Sequence, residues 1–196
     1  GAQLTLLPHY RGVIDPKTIL AAIRPDRPQT VRSRLLVLEQ TCNRSGGAIL
    51  PLNDIAAMTN AARQANLAIH MDGARLFNAE AGSRTPAAAF AAQADTLFVD
   101  LSKGLGCPFG AVLLGPRAMI KEGWRHKMRL GGGMRQAGIM AAAGIYALEN
   151  NVSRLSQDHE AARLLAAELT RKTKLVIAEN LIETNIFDIF TKAAET

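Results

Sequence analysis

The chain has 196 residues, enough for one sizeable domain or for one domain with part of another. Its formal net charge of +6 is compatible with nucleic-acid binding, but the basic residues are scattered along the chain. The basic cluster at residues 125–129 has no aromatic residue between its members to stack on a base, so we expect no nucleic-acid partner. No run reaches the roughly 18 to 20 apolar residues that a membrane span needs, so we expect no membrane segment.

The two cysteines, Cys42 and Cys107, are too few for a disulfide framework or a zinc site. We therefore expect free structural thiols and no metal centre. The first fifteen residues lack the basic start and the long apolar run of an export signal. Together these features predict a reducing, cytoplasmic setting.

Strand-like and helix-like segments alternate along the chain, which is typical of an α/β domain with a mostly parallel sheet. Short apolar runs predict strands at 35–39, 67–72, 96–102, 111–115, 175–179 and 185–190. Helical periodicity predicts helices at 52–66, 86–93, 135–150 and 153–172. We expect residues 1–150 to belong to a large domain and residues 151–196 to begin a smaller one.

The first candidate motif is HMDGAR at residues 70–75, where a predicted strand ends. Ligands of open α/β sheets bind beyond the carboxyl ends of the strands, which places Asp72 well for a ligand. Gly73 permits a sharp turn there, and Arg75 is close enough along the chain to serve the same site. The alternative is an ordinary Asp-Gly turn with a surface arginine.

The second motif is LSKGLG at residues 101–106, again at the end of a predicted strand. The amine of Lys103 can form an imine with a carbonyl group, and Ser102 can donate to a phosphate. A solvent-facing lysine and a turn-capping serine are the alternatives.

The spacing joins the two motifs, because the 31 positions from Asp72 to Lys103 match one strand–helix–strand crossover. A right-handed crossover brings both strand ends to one edge of the sheet. A carboxylate and an amine at one site suit pyridoxal phosphate (PLP), whose pyridine nitrogen pairs with an acid and whose aldehyde is held by a lysine.

A third motif, LGGGMRQ at residues 130–136, places three glycines before a predicted helix. Exposed backbone amides and Arg135 would suit an anion. The alternative is a hinge with a surface arginine.

Four segments resemble the low-specificity L-threonine aldolases, which belong to the fold-type-I (aspartate aminotransferase-like) PLP enzymes. They are HMDGARLFNA, LSKGLGCPFGAVLLG, KMRLGGGMRQAGIMAAAGIYALENNV and RLSQDHEAARLLAAEL. The resemblance extends from about residue 35 to about residue 190. It implies an α/β fold of this type with a mostly parallel sheet flanked by helices, present here in incomplete form.

The resemblance also implies roles for individual residues. Lys103 matches the lysine that binds PLP covalently, and Asp72 matches the acid that pairs with the pyridine nitrogen. Arg75 matches the arginine near the PLP phenolic oxygen, and Ser102 a serine beside the phosphate. Arg135 matches an arginine that reaches the active site of a neighbouring subunit, which implies a homo-oligomer, either a dimer or a tetramer. His70 also occupies a family position, but we expect it to be structural.

The implied reaction is the cleavage of L-threonine or L-allo-threonine to glycine and acetaldehyde. Two alternatives stay open within the same fold: a PLP-dependent β-eliminating lyase acting on another amino acid, and an inactive fragment of such an enzyme. A nucleotide-binding α/β module is a further class, but no GxGxxG or P-loop pattern follows a predicted strand.

Two departures from the family pattern bear on activity. The loop that usually reads Thr-His-Asn reads Thr41-Cys42-Asn43, which puts a thiol, with an ordinary pKa of about 8.5, at a position on the substrate side. We expect Cys42 to take the catalytic position with an altered rate or stereopreference. The segments that carry the phosphate-binding loop, the side chain that stacks on the ring and the arginine for the substrate carboxylate have no counterpart here, so we expect about half of a site.

Overall fold

The computed structural model describes residues 2–190, which contain four strands and seven α-helices. The strands are β1 (Leu35–Glu39), β2 (Ala68–Gly73), β3 (Thr96–Asp100) and β4 (Ala111–Leu114). The helices are α1 (Pro16–Ala21), α2 (Leu52–Gln64), α3 (Leu76–Ser83), α4 (Ala87–Ala91), α5 (Arg117–Arg129), α6 (Gly138–Asn150) and α7 (Leu155–Lys172).

All four strands, and the helices α2, α4, α6 and α7, lie where the sequence predicts them, with ends that differ by a few residues. The helices α1, α3 and α5 were not predicted. Local signals explain α1: the Asp15 side chain accepts a hydrogen bond from the backbone N–H of Lys17 at 2.8 Å, and Pro16 occupies the first turn.

The four strands form one sheet in the order β1-β2-β3-β4. The first three are parallel, and β4 runs antiparallel to β3. Helix α2 connects β1 to β2, while α3 and α4 connect β2 to β3. The predicted mostly parallel sheet is therefore confirmed, and the carboxyl ends of β1, β2 and β3 meet at one edge.

One face of the sheet forms the main core. Alternate strand residues on this face are buried, and they are Leu36, Leu38, Ile69, Met71, Leu97 and Val99. Helices α1 to α4 contribute apolar residues to the same cluster, including Ile19, Met58 and the fully buried Phe90. The opposite face is more open, since Leu35 and Val37 are about half exposed. The two faces follow from the two-residue period of side chains along a strand.

The predicted strands at 175–179 and 185–190 are wrong. Within residues 2–190 their only sheet-like contact is an isolated antiparallel bridge between Val176 and Phe190. A 3-10 helix, Glu179–Leu181, begins at the last residue of the first segment. The apolar residues Ile177 and Ile182 instead pack in a small cluster with α7. Their side chains are therefore buried without strand pairing.

The segment after this 3-10 helix is attached to the loop that follows β1. Glu183 accepts hydrogen bonds from Arg11 at 2.7 Å and from the backbone N–H of Ile49 at 2.7 Å. The buried hydroxyl of Thr184 donates to the carbonyl oxygen of Gly47 at 2.7 Å. These contacts cross the predicted boundary near residue 150, and the division into two domains stays a prediction. Within residues 2–190, no helix combines the length and apolar character needed to span a membrane.

Candidate active site at the carboxyl edge of the sheet

Two carboxylates lie on the same face of the sheet near its carboxyl edge. Asp72 in β2 is paired in register with Phe98 in β3, and Asp100 follows two residues after Phe98. Register partners and residues two apart point to one face, so Asp72 and Asp100 share the more open face. The side chains of His70 and Thr96 meet on this face too, with 2.7 Å between Nδ1 and Oγ1.

The turn after β2 holds Asp72. Its Oδ1 accepts a hydrogen bond from the backbone N–H of Ala74 at 3.0 Å. A Cβ on Gly73 would lie 2.7 Å from the carbonyl oxygen of Phe98, so only glycine fits where the two strands approach. The backbone N–H of Arg75 donates to the carbonyl oxygen of Gln40 at 3.3 Å. These contacts fix the loop that carries both predicted site residues.

Lys103 lies in the short loop between β3 and β4. Its backbone carbonyl accepts from the N–H of Gly106 at 2.9 Å, and the loop closes further through a bond from Cys107 N–H to the carbonyl of Leu101 at 3.0 Å. The Lys103 side chain is 39% exposed, and its Nζ lies 3.3 Å from Oδ2 of Asp100. The amine therefore turns back towards the sheet edge and stays accessible to solvent.

Asp100 is the central acceptor of this loop, and the sequence analysis missed it. Its Oδ1 accepts from the backbone N–H of Ser102 at 2.8 Å and from the Ser102 hydroxyl at 2.7 Å. Burial alone would raise the pKa of Asp100, but hydrogen bonds from Ser102 and the ion pair with Lys103 outweigh it and hold the pKa below its ordinary value. The carboxylate is thus charged at neutral pH. The spacing of an acid three residues before the lysine was the available signal.

A small cleft opens between the ends of β2 and β3. Arg75, Asn78, Asp100 and Gly104 are among the residues that line it. The structure brings Asp72, Arg75, Ser102 and Lys103 to the carboxyl edge of the sheet, where Asp100, which the sequence did not indicate, contacts Ser102 and Lys103. Their predicted roles in cofactor binding stay predictions.

Two other predicted site residues lie in different surroundings. Cys42 is only 6% exposed and belongs to the main core cluster, where its Sγ lies 3.3 Å from the hydroxyl oxygen of Ser45. Arg135 is exposed and lies in the segment before α6, which begins at Gly138 and not at the arginine itself. Both cysteines are free and buried, as predicted.

The side chains at the edge match the chemical groups of PLP. A carboxylate can pair with a protonated pyridine nitrogen, a primary amine can bond to an aldehyde, and a guanidinium can donate to a phenolic oxygen. Asp72, Lys103 and Arg75 supply one of each. The hydroxyl of Ser102 is already donated to Asp100, which leaves its oxygen as an acceptor in this arrangement.

Comparisons with known proteins identify the family of the chain. The beta-eliminating lyase family model matches residues 1–192, and the chain belongs to that family. It is 42% identical over 158 residues to the low specificity L-threonine aldolase of Escherichia coli K12, covering 81% of this chain and 46% of that protein. It is 38% identical over 178 residues to a probable low-specificity L-threonine aldolase 2 of Arabidopsis thaliana, covering 89% of this chain and 50% of that protein.

Solved structures give the same picture of the fold. A putative aromatic amino acid beta-eliminating lyase/threonine aldolase from Exiguobacterium superposes with a TM-score of 0.79 at 25% identity, covering 94% of this chain and 50% of that one. The predicted fold class is confirmed. The chain spans about half the length of the curated relatives that it matches.

Proposed function

We propose that the chain is part of a PLP-dependent lyase that cleaves L-threonine or L-allo-threonine to glycine and acetaldehyde. The observation that supports this most is the placement of Asp72 and the Asp100–Lys103 pair on one face, at the tips of neighbouring parallel strands. Relatives named as threonine aldolases point to the same reaction.

Each residue at the edge has a definite task in this proposal. PLP, when bound, supplies an aldehyde and an electron-accepting ring that stabilises negative charge on the substrate Cα. Asp72 would pair with the pyridine nitrogen, because a carboxylate favours the protonated ring. Lys103 would hold the aldehyde carbon through its amine, and Arg75 would donate to the phenolic oxygen. Ser102 would lie beside the phosphate, as the family resemblance implies.

A base must take the proton of the substrate β-hydroxyl group, and the resemblance assigns Cys42 to that side. Its thiol lies in the core, so its catalytic role stays a prediction. Replacing Cys42 by histidine tests it. An unchanged cleavage rate together with an unchanged preference between L-threonine and L-allo-threonine would exclude a role for this position.

We also propose that the protein is a homo-oligomer in which Arg135 reaches a neighbouring site. The segment that contains Arg135 supports this, since residues 124–139 expose several large apolar side chains: Trp124, Met128, Leu130, Met134 and Ile139. Exposed apolar side chains in this number are typical of a region that another chain covers. The cytoplasmic setting stays a prediction.

The experiment is a PLP titration of the purified chain, followed by product analysis with L-threonine and L-allo-threonine. We expect a new absorbance band on adding PLP, and glycine with acetaldehyde as products. Lys103→Ala should lose both, while Lys121→Ala, a lysine on α5 remote in sequence from the motif, should keep both. The β-eliminating alternative predicts release of ammonia and a keto acid from another amino acid. An absence of both band and product would favour the inactive fragment.

A further inference from the structure

The ion pair between Asp100 and Lys103 points to a function for Asp100 that no sequence motif indicated. Asp100 is the last residue of β3, so its backbone is fixed by pairing with Ala111 of β4. Its side chain is 13% exposed, against 39% for Lys103. A well-buried carboxylate on a strand therefore meets a more exposed amine on a loop.

The two oxygens of Asp100 have different partners. Oδ1 accepts both hydrogen bonds from Ser102, one from its backbone N–H at 2.8 Å and one from its hydroxyl at 2.7 Å. Oδ2 has one partner among the described residues, the Nζ of Lys103 at 3.3 Å. With Oδ1 tied to the loop, rotation of the carboxylate is restricted, and Oδ2 is held in a single direction.

We propose that Asp100 is the positioning residue of Lys103: its Oδ2 holds the amine on the Asp72 face of the sheet until a carbonyl compound enters. This inference rests on the proposed function for the identity of the carbonyl compound, but the ion pair itself does not. Asp100 acts through Lys103 and is given no contact with substrate.

The ion pair gives the direction of the effect. An amine attacks a carbonyl carbon through its free electron pair, and an amine held in an ion pair with a carboxylate is less available for this attack. Removing the negative charge of Asp100 should thus raise the reactivity of the Lys103 amine, by roughly two- to fivefold for a partly exposed ion pair.

The test measures the reactivity of Lys103 in the full chain without PLP. Trace acetylation with acetic anhydride at pH 7.5, read by peptide mass spectrometry, gives the labelling rate of Lys103 relative to Lys121. We expect Asp100→Asn to raise this ratio roughly two- to fivefold. Asp100→Glu keeps the charge and should restore most of the wild-type ratio.

A salt series separates an ion pair from a change in exposure. In the wild-type chain the Lys103 to Lys121 ratio should rise with ionic strength, because salt screens the pair. In Asp100→Asn it should not change. An unchanged ratio in Asp100→Asn would overturn the proposal, and so would a wild-type ratio insensitive to salt, a result that decides the matter even if the variant fails to fold. Failure of the lyase assignment would appear separately, as the absence of PLP binding and of acetaldehyde.

Discussion

The core face of the sheet and the α5–α6 region differ in how far contacts within the chain bury their apolar side chains. On the core face, strand residues such as Ile69 and Met71 are fully buried by helices of the same chain. Helix α5 has no buried residue, and large apolar side chains of the region, including Trp124, Ile139 and Tyr146, are more than half exposed. Contacts within the chain bury the apolar side chains of the first region, whereas several large ones of the second stay exposed, as the proposed oligomer would require.

The largest expected effect on this comparison comes from truncating one aromatic residue in each region. Phe90→Ala removes a fully buried side chain and should lower the free energy of unfolding by about 3–5 kcal/mol. Trp124→Ala removes a side chain that is 56% exposed and, measured at a concentration where the chain is monomeric, should change this free energy by about 0.5 kcal/mol or less. Urea unfolding followed by circular dichroism measures both. Equal losses would show that the two regions are packed alike.

The same tryptophan should matter for self-association. If α5 faces a second copy of the chain, Trp124→Ala should weaken the association by about 2 kcal/mol, the scale of an interface hot spot. Sedimentation equilibrium over a range of protein concentrations gives the association constant. Leu20→Ala, a change at an exposed residue of α1, is the control and should leave it unaltered. A wild-type chain that stays monomeric at all concentrations would contradict the oligomer proposal.

Two glycines with positive φ, one in the loop after β1 and one between α5 and α6, allow the packing around the backbone to be compared. Gly47 has φ 67°, and an added Cβ would meet Thr184 and lie 2.8 Å from the Cβ of Ile186. Gly131 has φ 76° and nothing within 4 Å of such a Cβ. Both alanine variants carry the strain of positive φ, of about 1 kcal/mol, but only Gly47→Ala adds a clash of about 1–3 kcal/mol. Thermal unfolding should therefore separate them, and equal shifts would mean that residues 184–186 are free to move away.

The smallest expected effect is a pH dependence of stability from His159. Burial lowers the pKa of this side chain, the charge of Arg163 lowers it further, and Asp158 acts weakly in the opposite direction. As the pH falls, the unfolded state therefore binds a proton on His159 at the ordinary pKa of 6.5, before the folded state does. The contribution of neutral His159 to the free energy of unfolding is thus lost as the pH falls below about 6.5. Between pH 7.5 and 5.5, urea unfolding should show a larger decrease in the free energy of unfolding for the wild type than for His159→Gln. The same decrease in both would exclude His159 as the source of the pH dependence.

The secondary structure was easier to predict from the sequence in the core region than in the α5–α6 region. Strands β1 to β4 were predictable because each is a short apolar run bounded by turn residues. Helix α5 was missed because it has no buried stripe, so its residues follow no pattern set by this chain's core. Along α7 the buried residues include Ala166, while its larger neighbour Leu165 is 55% exposed. A small residue such as alanine fits where a helix packs closely against its neighbour. The apolar pattern of the sequence does not show where such close packing occurs.

At the site, the predicted carboxylate and lysine were found through strand ends and spacing, which depend on topology alone. The ion pair of Asp100 depends on the conformation of the loop after β3, where Ser102 turns back onto the carboxylate. The burial of Cys42 depends on the packing of the segment around Gly12, whose Cβ position would lie 2.9 Å from the Cβ of Cys42. Neither contact has a periodic signature in the sequence.

The most direct test of the account is to identify the lysine that reacts with PLP. The chain would be incubated with PLP, reduced with borohydride so that the bond becomes permanent, and digested for peptide mass spectrometry. We expect the modification to be concentrated on Lys103, and to be lost in Lys103→Ala without transfer to Lys121 or Lys127. Modification spread evenly over exposed lysines, with Lys103 no more reactive than the others, would contradict it.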